Sequence, residues 1–194
     1  MTKEDILAFY KEFRVPKHVI GHMETVSKIS TTIADRFIEK GIPIDKDLLE
    51  KAALLHDAIR VCDFRDFKPE TFPQETTQVD IDFWLKLREK YGEIGHVKAI
   101  AHILKVRNET ALANLVEKHD FKEVNNLKTW EEKILYYADK RADGNKVADI
   151  ETRLIKGFER NKQANKDYSQ RDKIIQSIRD LEEEIEREIG KLSI

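Results

Sequence analysis

Histidine and aspartate side chains of this chain fall on the apolar stripes of three predicted helices. The side chains concerned are His22, His56, Asp57 and Asp139. A buried carboxylate without a partner is costly, so it needs a cation, a hydrogen-bond network or a metal ion. Helices that place nitrogen and oxygen ligands toward one point can form a metal site inside a bundle. Because no thiolate is among the candidates, the set suits divalent Mn, Fe, Co, Ni, Mg or Zn and excludes a structural zinc held by cysteines.

Each candidate has a simpler explanation when it is taken alone. A single histidine on a helix face is usually a hydrogen-bonded core residue, and a single aspartate late in a helix usually faces solvent. The adjacent pair His56-Asp57 supports a metal site. The presence of all four candidates together favours a bound metal ion over these simpler explanations.

The spacing of apolar residues is helical through most of the sequence and predicts an all-α protein. Thr2 is expected to cap a first helix, and Pro16 suits the first turn of a second helix that ends near Gly41. Asp45 or Asp47 should begin the third helix. The low counts of Gly, 7, and Pro, 4, agree with this fold class.

The pattern breaks at residues 61–79, which contain prolines and phenylalanines. This segment is predicted to be an irregular packed connector, with a lid over the site as the alternative. Helices are expected again over residues 80–90, 95–106 and 109–118. A capping box, Thr129-Trp130-Glu131-Glu132, predicts a further helix that ends near residue 142.

The C-terminal residues have one apolar stripe among many charges. Its members are Ile174, Ile178, Leu181, Ile185, Ile189 and Leu192. Such a stripe predicts an amphipathic helix of about six turns. We expect a catalytic domain at residues 1–168 and, at residues 169–194, a helix that packs on this domain. Because the spacing is near a heptad, a homodimer through a coiled coil is the alternative.

The composition excludes several classes of protein. With 35 Lys and Arg against 37 Asp and Glu, the net charge is -2, so no global basic field attracts nucleic acid. We expect no nucleic-acid partner, with a local basic patch as the alternative. The single cysteine, Cys62, forms no internal disulfide and fits a reducing compartment. No apolar run approaches the roughly 20 residues of a membrane span, and residues 1–5 lack a signal-peptide pattern. We therefore expect a cytoplasmic protein.

The candidates and their neighbours resemble the H…HD…D signature of the HD-domain superfamily. Small apolar residues 52–55 precede His56-Asp57, and Tyr137-Ala138 precede Asp139. The resemblance covers roughly residues 16–160. It implies an all-helical bundle, a divalent metal bound by the four candidates, and a phosphohydrolase that uses a metal-activated water. Its substrate would be a small molecule, a nucleotide or another phosphate ester or anhydride.

Two more histidines, His96 and His119, resemble in order and spacing those of a binuclear HD subgroup. In that subgroup Asp57 would bridge two metals, and the two histidines would hold the second. The alternative is that both are structural or contact only the substrate phosphate. The resemblance thus implies one or two ions.

The sequence departs from many relatives directly after the HD pair. Many relatives have His-Asp-Ile-Gly followed by Lys or Arg, whereas here Ala58-Ile59 precede Arg60. Without this glycine, the sequence does not predict that a ligand can approach the backbone closely there. Arg60 retains the positive charge found in the relatives. We predict that Asp57 and Arg60 act in catalysis, and that Arg60, Lys140 and Arg141 bind phosphate, the first as a planar fork. A surface arginine is the alternative for Arg60.

Two other functions remain open at this point. Some HD proteins with two irons oxidise their substrates, and iron content with oxygen consumption would distinguish that class. A nucleotide-binding regulatory module without catalysis is the other alternative, and a phosphatase panel would decide it.

Overall fold

The computed structural model describes residues 1–67, 76–155 and 171–191, and these residues are mostly helical. The all-α prediction is confirmed. The α-helices are α1 (Lys3–Glu12), α2 (Lys17–Glu39), α3 (Lys46–Leu55), α4 (Gln78–Tyr91), α5 (Gly95–Val106), α6 (Thr110–Glu117), α7 (Trp130–Arg141) and α8 (Arg171–Ile189). Residues 150–155 are also helical. Two 3₁₀ helices, Arg60–Asp63 and Phe121–Asn126, and a short antiparallel hairpin of β1 (Ala142–Asp143) and β2 (Lys146–Val147) connect them.

The helix boundaries follow the local signals of the sequence. Thr2 and Thr129 each accept a hydrogen bond from the backbone three residues on, in capping boxes that begin α1 and α7. Asp45 caps α3. Gly41 has a φ of +79° after the end of α2, a left-handed conformation that glycine adopts without strain.

The connector predicted at residues 61–79 is partly helical. Its first residues belong to the 3₁₀ helix Arg60–Asp63, and its last residues begin α4. A capping box between Thr77 and Asp80 explains the earlier start of α4. Residues 68–75 lie outside the described residues, so the lid remains a prediction.

The core lies around α2, which packs against α3 and α7, while α5 and α6 pack on each other and α6 also packs on α3. The inward face of α2 is fully buried at Met23, Val26, Ile33 and Phe37. A continuous apolar core fixes these helices relative to one another. The same packing therefore holds in place the polar residues on their inner faces and next to their ends.

The C-terminal helix α8 packs on α7, on α2 and on the 3₁₀ helix Phe121–Asn126. The buried side chains on it are Ile178, Leu181, Ile185 and Ile189. Arg36 of α2 donates hydrogen bonds to the carbonyls of Ile189 and Lys191, at 2.8 Å each, and so satisfies acceptors at the end of α8. The boundary expected at residue 168 lies outside the described residues, and dimerisation through this helix remains a prediction.

Among the described residues, no helix is both long and apolar enough to cross a membrane.

Candidate metal centre

The ends and inner faces of several helices bring the predicted metal ligands together in two groups. The first group is His22, His56 and Asp139, and the second is Asp57, His96 and His119. Within each group, the candidate ligand atoms lie within 4.8 Å of one another. All six residues named from the sequence are therefore clustered, although they are separated widely along the chain.

Each ligand position follows from a local feature of the fold. His22 and Asp139 are on the inner faces of α2 and α7, whereas His56 directly follows the last residue of α3, with Asp57 in the turn after it. His96 is the second residue of α5, and His119 comes just after α6.

The carboxylate of Asp57, a member of the second group, also faces the first group. Its Oδ2 is 3.8 Å from Nε2 of His22 and 4.0 Å from Nε2 of His56. Its Oδ1 is 3.0 Å from Nε2 of His96 and 3.5 Å from Nε2 of His119. One oxygen thus faces each group, which is the arrangement a carboxylate needs to bridge two ions.

The other nitrogen of three of the histidine rings is held by an acceptor. Nδ1 of His56 lies 2.8 Å from the carbonyl of Ala53, and Nδ1 of His119 contacts the carbonyl of Val116. Nδ1 of His96 lies 2.5 Å from Oδ2 of Asp63. Because carbonyls and carboxylates only accept, each Nδ1 carries the proton, and in the neutral ring Nε2 keeps its lone pair.

Nε2 of His96 accepts a hydrogen bond from the guanidinium of Arg60 at 2.7 Å, but the other acceptors of the cluster converge with too few donors. Nε2 of His96 and Nε2 of His119 are 3.2 Å apart, and with both Nδ1 atoms protonated neither neutral ring supplies a proton between them. Among the described residues, His56 Nε2 and Asp57 Oδ1 are buried without a hydrogen-bond partner. Buried acceptors of this kind require an explanation, and a divalent cation supplies one, since imidazole and carboxylate are its usual ligands. The residues present therefore fit a metal ion.

The electrostatics at Asp57 and His119 favour the protonation states that bind a metal. Burial alone would raise the pKa of Asp57, but the charges of Arg60 and His56 outweigh it and hold that pKa well below its usual range. Burial lowers the pKa of His119 to about 4, so this ring is neutral near pH 7. A charged carboxylate and a neutral imidazole are the forms that bind metals.

The same opposing effects set the pKa of Asp139. Burial alone would raise its pKa, and Lys140 together with His22 outweighs this and holds the pKa well below its usual range. His56 is affected in the opposite direction: burial lowers its pKa, but the charges of Asp57 and Asp139 raise it above the usual value.

Two of the three cations predicted to bind phosphate lie at the cluster. Arg60 is 2.7 Å from Nε2 of His96 and 3.7 Å from Oδ1 of Asp57, with 42% of its side chain exposed. Nζ of Lys140 is 2.6 Å from Oδ2 of Asp139, and its side chain is only 12% exposed. Lys140 therefore holds a candidate metal ligand, and its contact with a substrate phosphate remains a prediction.

The third predicted cation, Arg141, is not brought to the cluster. Its buried guanidinium donates to the hydroxyl of Tyr137 and to the carbonyl of Ala148, and lies 3.4 Å from Glu182 of α8. Two residues along a helix are about 200° apart, so Arg141 faces away from the side on which Asp139 lies. These contacts make it a structural link between α7, α8 and the segment after β2.

Arg141→Ala is expected to lower the free energy of unfolding and to leave kcat/KM of the folded protein unchanged. Hydrogen bonds to a charged group each contribute about 1.5–3 kcal/mol, and truncation would leave their buried partners unsatisfied. Urea unfolding measures the change. Arg179→Ala is the matched control, because Arg179 of α8 pairs with Glu151 in a largely exposed ion pair, and surface changes usually stay within about 0.5 kcal/mol. A raised KM with unchanged stability in Arg141→Ala would instead support phosphate binding.

Sequence reasoning missed Asp63, which is bonded to both the ring and the backbone of His96. Burial would raise the pKa of Asp63, but the hydrogen bond and charge of His96 outweigh it and lower the pKa to about 2. Asp63 does not lie on the apolar stripe of a helix, so the periodicity of the sequence does not indicate it.

A comparison with protein families identifies the family of this chain. The family model described as HD domain matches residues 19–143, more than half of the chain. The chain belongs to the HD domain family. The matched range contains all six candidate ligands of this HD domain. Comparisons with curated proteins and with solved structures gave no match. The family indicates a superfamily of metal-dependent hydrolases, whose members bind divalent metals.

Proposed function

We propose that this HD domain is a phosphohydrolase that cleaves a nucleotide or another small phosphate ester or anhydride. The observation that carries the proposal is the pair of ligand groups with Asp57 between them. Asp57 and the two groups would hold two ions, which would stabilise both the attacking and the leaving oxygen of an in-line displacement at phosphorus.

The chemistry divides between the metal and the protein. A divalent ion, when bound, lowers the pKa of its water and so supplies hydroxide at neutral pH. Asp57 and Asp139 would offset the positive charge of the centre, and the fixed Nδ1 protons of His56, His96 and His119 aim their Nε2 atoms inward. Arg60 would donate to the phosphoryl oxygens and offset their charge as the bond to the leaving group breaks.

The composition supports a small substrate. The net charge of -2 provides no global basic field of the kind that attracts a nucleic-acid polymer. In the part of the chain that the structure describes, Arg60 and Lys140 lie near the cluster, and two cations match one or two phosphate groups.

A panel of substrates tests the proposal. Nucleoside monophosphates, cyclic nucleotides and dinucleoside polyphosphates would each be assayed with Mn, Co, Ni, Fe and Mg, with phosphate or nucleotide release as the readout. We expect metal-dependent hydrolysis of at least one class and none after chelation. Oxygen consumption by an iron-loaded protein without hydrolysis would indicate an oxygenase, and nucleotide binding without turnover would indicate a regulatory module.

Arg60→Ala is expected to lower kcat/KM by roughly ten- to a hundred-fold, mainly through KM. The reason is the loss of a charge-assisted contact, which typically contributes about 1.5–3 kcal/mol. Steady-state kinetics on the best substrate of the panel measures it.

The matched control is Arg65→Ala, an exposed arginine of the same segment, which should leave kcat/KM unchanged. Unaltered kinetics in Arg60→Ala would show that Arg60 does not contact phosphate.

A further inference from the structure

Asp63 makes two hydrogen bonds to a single candidate ligand. Its Oδ1 accepts from the backbone N–H of His96 at 3.1 Å, and its Oδ2 lies 2.5 Å from Nδ1 of the same residue. Asp63 is the last residue of the 3₁₀ helix Arg60–Asp63, which directly follows the turn that carries Asp57. One short segment therefore supplies both the bridging carboxylate and the partner of His96.

The position of His96 in its helix explains why it needs this partner. His56 and His119 follow the ends of α3 and α6 and bond the carbonyls three residues before them, at Ala53 and Val116. His96 is instead the second residue of α5. The first turn of a helix has free N–H groups but no preceding helical carbonyls, so the ring of His96 takes its acceptor from another segment.

The backbone at the start of α5 fits the same arrangement. Ile94, before the helix, makes no side-chain cap hydrogen bond, and the carboxylate of Asp63 takes that role for the N–H of His96. Gly95 has a φ of +77°, a left-handed conformation in which a side chain would be strained. A Cβ built on Gly95 would lie 3.8 Å from Oδ1 of Asp63, which is an ordinary contact distance. Glycine is therefore favoured here by the positive φ of the turn and not by a lack of space.

We propose that Asp63 is a positioning residue that fixes the tautomer and ring orientation of His96 so that Nε2 is presented to the second ion. This inference rests on the proposed two-ion centre. The carboxylate, the imidazole and the metal would form a triad in which the carboxylate fixes the orientation of the ring. Asp63 acts through His96 and not on the substrate.

The test is a Co²⁺ titration of the folded, metal-depleted full chain, followed by visible absorption and by elemental analysis. In Asp63→Ala, the second ion should bind 10- to 100-fold more weakly, which is the usual effect of losing such a partner, and the first should bind as in wild type. A second readout needs no metal: the ¹H and ¹⁵N shifts of the Nδ1–H group of His96 should show a short hydrogen bond to a carboxylate in wild type and the loss of that bond in Asp63→Ala.

Asp63→Asn separates positioning from helix capping. Asparagine caps helices about as well as aspartate, but it lacks the charge and the two equivalent acceptors that bond ring and backbone together. We expect weaker binding of the second ion in this variant too. Asp45→Ala removes the cap of α3, where Asp45 accepts from Leu48, and should bind both ions normally.

Three results would overturn the inference. One is a folded Asp63→Ala that binds both ions with wild-type affinity. Another is full recovery in Asp63→Asn, which would leave Asp63 as a cap only. The third is a wild-type protein that binds one ion, which refutes the two-ion centre itself and is seen without any variant.

Discussion

Asp57→Asn is expected to abolish detectable hydrolysis and to reduce metal content at both ligand groups. The two oxygens of Asp57 face different groups, at 3.8 Å from His22 and 3.0 Å from His96. An amide offers one neutral oxygen where the carboxylate offers two that share a negative charge, so it cannot bridge two cations. We expect a loss of at least about 10³-fold in kcat, since one preorganised electrostatic group alone contributes 10²–10³.

Asp35→Asn is the control for the same chemical change at a remote site. Asp35 pairs with Lys46, and its side chain is 51% exposed, so its loss should alter neither metal content nor activity. Circular dichroism establishes that both variants are folded, and elemental analysis counts the ions. A folded Asp57→Asn protein that keeps both ions would refute the bridging role.

Much of the fold and of the ligand set could be predicted because both depend on local patterns. Capping boxes at Thr2 and Thr129 mark helix starts from a few neighbouring residues. His22 is identified by the apolar stripe on which it lies, and Asp139 by the same kind of stripe on α7. The clustering of residues this far apart in sequence was inferred from the family signature, because a helical period specifies a face of a helix but not which helices meet.

The residue that the sequence did not indicate, and the predicted residue that lies away from the cluster, both depend on contacts between segments. Asp63 bonds His96, 33 positions further along the chain, and no spacing within a single element encodes that pair. Arg141 was expected at phosphate because it follows Asp139 closely, yet the turn of the helix directs it to Glu182 of α8. Sequence proximity to a ligand is thus weak support for a place in the site.

The double variant His96→Ala, His119→Ala distinguishes a centre that binds one ion from a centre that binds two. Nε2 of His96 and Nε2 of His119 are 3.2 Å apart, and each ring is fixed by its Nδ1 contact, so both present a lone pair to one point. If they hold a second ion, the folded variant should contain about one ion fewer per chain. It should also lose activity, because stabilising both reacting oxygens requires both ions.

The first ligand group is the internal control of that experiment. His22, His56 and Asp139 are unchanged in the variant, so one ion should remain bound with wild-type affinity. If the two histidines only contact substrate phosphate, the metal content will equal that of wild type, and only KM and kcat will change. Elemental analysis of both proteins, loaded and desalted identically, distinguishes these results, and equal stoichiometry would leave an HD domain that works with a single ion.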